Sequence, residues 1–107
     1  MMKSKNIAGN KNLIDEMRNN NLEAIIYGIQ SEVPILNLNA IIFGTKFNVT
    51  NLEFINRIKD ELVNSKVTLF GVELNNYAIA SLHLLGVKKY EGNNETIKRI
   101  IKSNFDI

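Results

Sequence analysis

One constant shift lays a stretch in the middle of this chain onto a stretch near its end. Moving residues 34–63 forward by 42 places Gly44 on Gly86, Lys46 on Lys88, Asn51 on Asn93, Glu53 on Glu95, Ile55 on Ile97, Arg57 on Arg99 and Ile58 on Ile100. Self-similarity at such a period marks stacked helical hairpins, because one hairpin cannot bury its apolar face alone and a neighbour must cover it. The expected fold class is all-α, a short right-handed stack of helical hairpins. At a shift of 41, Asn10, Leu13, Ile14 and Met17 fall on Asn51, Phe54, Ile55 and Ile58, so a degenerate first copy is also expected. The chain then reads as one domain over 1–107, with copies at 10–33, 34–63 and 76–105 and a poorly ordered lead-in over 1–9.

Apolar periodicity fills in the helices. Asn10 is suited to cap a first helix carrying Leu13, Ile14 and Met17, which the run Asn19, Asn20, Asn21 ends. Residues 22–29 form a second short apolar helix. Ser31, Glu32 and Pro34 suit the start of a third, since a hydroxyl cap, an acid and a proline all match the unpaired amides of a first turn. On a helical wheel Leu36, Ala40, Phe43 and Phe47 share one side, and Ile35, Leu38 and Ile42 another. Two apolar faces predict an inner helix covered from two directions. Thr50 and Glu53 have capping-box spacing before an amphipathic outer helix with Leu52, Ile55, Ile58 and Leu62 inward. Gly71 and the β-branched Val67, Thr68 and Val72 break the helical pattern over 64–74, which predicts a loop with one short helical turn, a brief strand being the competing reading. Asn75 or Asn76 then caps a second inner helix running to Gly86, and Ile97, Ile100 and Ile101 form the inward stripe of a last outer helix. Leu38, Ile42, Phe43, Leu82 and Leu85 are expected to be inaccessible.

Composition removes several function classes. There is no cysteine, hence no disulfide framework and no thiolate ligand or nucleophile. The single histidine, His83, cannot build a histidine metal cluster or a serine triad, and reads as a structural or surface residue. Asp15 with Glu16 and Asp60 with Glu61 are adjacent, so on a helix they diverge instead of converging on a substrate. Gly28, Gly44, Gly71, Gly86 and Gly92 are isolated and form no phosphate loop. No enzyme chemistry, cofactor or metal is expected. No apolar run reaches the ~20 residues of a membrane span, and nothing near Met1 resembles a signal peptide, so the chain is expected to be cytoplasmic. The abundance of Asn, Ile and Lys reads as the imprint of an AT-rich bacterial genome.

Residues 75–86, with Ala78, Ala80 and Ser81 preceding Leu82, Leu84, Leu85 and the closing Gly86, resemble the second helix of HEAT-type repeats. Residues 34–44 resemble it more loosely, with Asn39 and Ala40 in the small positions and Gly44 closing. The resemblance spans roughly 34–105. It implies an α-solenoid whose members are mostly scaffolds and protein-binding surfaces, some of which hold nucleic acid.

The leading functional expectation is a non-enzymatic protein-binding module, for which an immunity- or inhibitor-type partner of a bacterial toxin is one specific role. Under the repeat shift Asn39 and Lys46 align with Ser81 and Lys88, so these four side chains are expected to form one polar strip on the aligned inner helices and to bind the partner. Exposed terminal faces near Leu22 or Ile101 offer a route to a homodimer. The alternative is a nucleic-acid-binding accessory protein using Lys89, Lys98, Arg99 and Lys102, with Tyr90 beside them to stack on a base or to pack into its turn. A net charge of +2 weighs against it, because strong polyanion binding takes a clustered basic face.

Overall fold

A computed structural model describes residues 7–105. They are mostly helical: α1 (Ile7–Arg18), α2 (Leu22–Gln30), α3 (Pro34–Lys46), α4 (Leu52–Asp60), α5 (Leu74–Leu84) and α6 (Glu95–Ser103). A 3-10 turn (Leu62–Asn64) and a two-stranded hairpin, β1 (Thr68–Leu69) and β2 (Val72–Glu73), connect α4 to α5. Of the two readings of residues 64–74 the competing one, a brief strand, is met by the hairpin, whereas the helical turn precedes the span and reaches only Asn64. The lead-in expected over 1–9 lies outside the described residues for 1–6, and Ile7–Gly9 already belong to α1. Asn10 is accordingly inside α1 and does not cap it.

Asparagine side chains start three of the helices. Asn21 Oδ1 accepts from the Ala24 N–H at 3.1 Å, Asn51 Oδ1 from Glu53 at 2.9 Å and Asn94 Oδ1 from Ile97 at 3.1 Å, each satisfying an amide that has no partner inside its helix. Asn51 therefore takes the capping position expected of Thr50. At α3 the capping residue is Val33, and Ser31 instead accepts from the Val33 N–H through Oγ. Glu73, not Asn75 or Asn76, precedes α5.

The centre of the molecule is α3, which packs against α1, α2 and α5. Of the two apolar faces expected, Leu36, Ala40 and Leu38 are buried, Ile35 is half-buried and Phe47, just past the helix, is exposed; Ile41, which belonged to neither face, is buried as well. Leu82 is buried too, whereas Ile42, Phe43 and Leu85 are half-buried. Phe43 sits at the rim with the Arg18 guanidinium 5.5 Å from its ring centroid. Shorter helices cover the flanks: α4 packs on α2 and α5, and α6 packs on α5.

The backbone does not keep the constant shift of 42. After α3, the Val49 N–H bonds to the Gly44 carbonyl and Asn48 adopts φ 57°; after α5, the Val87 N–H bonds to the Leu82 carbonyl and Gly86 adopts φ 75°. These matching helix ends, each closed by one left-handed residue, are 38 residues apart. The capping residues of the next helices, Asn51 and Asn94, are 43 apart. The connection 85–94 is hence five residues longer than 47–51. Gly44 and Gly86 consequently do different work. Gly44 lies within the last turn of α3, where a Cβ would overlap the buried Phe54 ring, while Gly86 sits in the turn after α5 with open space around it.

Buried Thr45, Ser81 and Asn37, with the part-buried Arg57, tie the helices to one another. Thr45 on α3 and Ser81 on α5 share a buried hydroxyl–hydroxyl hydrogen bond of 2.6 Å. Buried Asn37 donates through Nδ2 to the carbonyls of Gly28, Ile29 and Ser31 at the end of α2. Arg57 on α4 reaches the same end, donating to the Ile29 carbonyl from Nε at 3.0 Å and to the Ser31 carbonyl at 3.1 Å. It also pairs with Glu61. Arg57 is thereby drawn against the end of α2 and left only part-exposed. Its charge sits at the negative end of the α2 dipole, and the last carbonyls of that helix find donors.

Candidate recognition surfaces

The polar strip expected from Asn39, Lys46, Ser81 and Lys88 is not assembled. Ser81 is fully buried and committed to Thr45. Asn39 is half-buried and turns back to donate to the Ile35 carbonyl of its own helix at 2.9 Å. Lys46 and Lys88 are exposed, but Lys46 is the last residue of α3 whereas Lys88 lies beyond the end of α5. The reason is that the face of α5 carrying Ser81 packs on α3, and α5 ends before Lys88.

The basic residues of the alternative reading divide in a similar way. Lys98 pairs with Glu95 on α6 at 3.7 Å, and Arg99 and Lys102 are exposed on that helix. Arg99, which the shift of 42 pairs with Arg57, makes no contact like those of Arg57 to the end of another helix among the described residues. Lys89 faces a different feature. With Lys59, Lys88 and Tyr90 it lines a recess of about 340 Å³ floored by Val63, Ile79 and Leu82.

Tyr90 is held in place on both sides. Its backbone N–H donates to His83 Nδ1 at 2.9 Å, and its hydroxyl accepts from the Asn94 N–H at 2.8 Å. His83 is therefore a structural residue that anchors the long connection after α5, and Tyr90 packs within that connection. Among the described residues no group of three His, Asp or Glu side chains is placed to hold a metal ion. No helix among them is long and apolar enough to cross a membrane.

A surface that the sequence reading passed over lies on the β-hairpin. Its two-residue turn is Phe70–Gly71, with φ of 56° and 78°, so both central residues take the left-handed conformations of a type I′ turn. Asparagine or glycine normally fills the first of these places, since a bulky side chain there is strained at a cost of order 1–3 kcal/mol. Phe70 nevertheless occupies it and is 80% exposed. Beside it, Leu38 and Ile42 of α3 and Tyr77 of α5 complete an apolar recess of about 420 Å³. Tyr77 stacks on Phe105 with ring centroids 6.5 Å apart, and burial pushes its phenol above the usual tyrosine range. The signal was present as Gly71 between β-branched residues, but a loop reading left Phe70 without a surface to stand on.

No protein-family profile matches the chain, and no curated protein or solved structure matches it.

Proposed function

We propose that this chain is a non-enzymatic protein-binding module, built as a short HEAT-like stack of helical hairpins, that engages its partner through Phe70 and the apolar recess beside it. The packing of α3 on α5, each flanked by a shorter amphipathic helix, supports the stacked-hairpin reading. The observation that carries the function is Phe70. An aromatic ring held in a strained turn and left 80% exposed weakens the fold without burying apolar surface in return. Aromatic anchors next to apolar recesses are the residues that dominate binding energy at protein interfaces. Within this reading, an immunity- or inhibitor-type partner of a bacterial toxin is a role that such a small module suits.

Photo-crosslinking tests it. A photoreactive phenylalanine analogue at position 70 should give one dominant protein adduct in the native cell, while the same analogue at Leu52, which is 74% exposed on α4, should give none. An adduct of twice the 12.1 kDa chain would name a second copy as the partner. Identical adduct patterns from the two positions, or none from either, would refute the Phe70 surface.

A further inference from the structure

The second recess carries an inference independent of the Phe70 surface. Its lining comes from four separate parts of the chain: Lys59 on α4, Val63 and Asn64 in the 3-10 turn, Ile79 and Leu82 on α5, and Lys88, Lys89 and Tyr90 in the connection after α5. Three lysines thus line the recess together with an apolar floor, and no carboxylate is part of the lining. The nearest acids in sequence are directed elsewhere. Asp60 joins Glu53 and Glu61 around a different depression, and Glu91 is exposed outside the lining.

One wall of this recess, Lys88, Lys89 and Tyr90, belongs to the connection that is five residues longer than its counterpart after α3. Those residues are not slack, because His83 and the Asn94 amide hold Tyr90 from both sides. A fixed aromatic side chain, an apolar floor and a cluster of cations form a complementary set for a ligand with a planar ring at one end and a phosphate at the other. Lysine serves as a point-charge phosphate binder, and rings pack on tyrosine faces. About 340 Å³ falls within the range of small-ligand sites, which starts near ~300 Å³.

We propose that the recess between α4, α5 and residues 85–94 binds a free mononucleotide, with the phosphate among Lys59, Lys88 and Lys89 and the base against Tyr90 and the apolar floor. The test is a titration of the full chain followed by amide chemical shifts, using adenosine monophosphate, adenosine, inorganic phosphate and a twelve-residue oligothymidylate as probes. Saturable shifts at Lys88, Lys89 and Tyr90 are expected with the monophosphate. Adenosine and phosphate alone should bind at least about tenfold more weakly, the loss that ~1.4 kcal/mol represents. Lys59→Ala with Lys89→Ala should weaken the monophosphate by at least about tenfold, and Lys98→Ala with Lys102→Ala should leave it unchanged, the same spectra reporting that each variant is folded. Absence of saturation, equal binding of adenosine, or equal loss in the α6 variant would overturn the proposal. Tighter oligothymidylate binding with shifts along α6 would also overturn it, in favour of a single-strand surface.

Discussion

The Arg57 Nε–H donates to the carbonyl oxygen of Ile29 at 3.0 Å, tying α4 to the last turn of α2 across 28 residues of sequence. Asn37 donates to the same carbonyl from α3. One helix end is thus satisfied by two other helices, and the packing of α2 depends on both. Replacing Asn37 with Ala should cost about 1–3 kcal/mol, the penalty of leaving buried polar groups short of a donor. Arg57→Met should cost a similar amount, and the double variant should depart from additivity by more than ~0.5 kcal/mol because the carbonyls are shared. Urea unfolding of the four proteins measures this, and strict additivity would show that the two donors act separately.

Gly44 and Gly86 test whether the ends of α3 and α5 correspond at 42 residues or at 38. Gly44→Ala should destabilise by about 1–3 kcal/mol through overlap with Phe54, and Phe54→Leu should recover part of that loss by making room. Gly86→Ala meets no neighbour, so its cost is the left-handed backbone alone, about 1 kcal/mol, and Phe54→Leu should not relieve it. Relief in both backgrounds would mean that the two glycines hold equivalent places after all.

Tyr77 predicts an alkaline limb of stability. Burial raises its folded pKa above the usual value of 10.0, so the folded state favours the neutral phenol. The resulting stability is present in full below pH 10 and is lost as pH rises through the raised folded value, because the unfolded chain gives up that proton first. Tyr77→Phe should therefore show a shallower fall in thermal midpoint between about pH 9 and 11 than the parent chain. Parallel curves would remove Tyr77 as the cause.

The helices were legible because apolar periodicity is a local property. Leu36 and Ala40 on one side and Leu38 on the other announce a helix covered from two directions, and α3 packs against α1, α2 and α5. Register was not legible, since identical residues at a fixed spacing do not report an insertion in the turn between them. Lys46 and Lys88 match in sequence although the chain gains five residues after α5. The polar contacts between helices were hidden for a related reason: Ser81, Asn37 and Arg57 look like surface residues until their partners arrive from other helices. Asparagine richness had more use than a genomic bias, because Asn21, Asn51 and Asn94 cap helices and Asn20, Asn48 and Asn104 take left-handed conformations. Of the two recesses, the sequence marked Lys88, Lys89 and Tyr90 but not Lys59, and Phe70 was passed over because its exposure depends on a hairpin only two residues deep on each side.

The account rests most heavily on Phe70 being kept for recognition and not for the fold. The direct measurement is the thermal midpoint of Phe70→Asn, which places a favoured residue at the first central position of the type I′ turn. Relief of about 1 kcal/mol of backbone strain should raise the midpoint by roughly 4–8 °C in a domain of this size. A midpoint lowered by several degrees would contradict the account, because it would show that the exposed ring stabilises the native state.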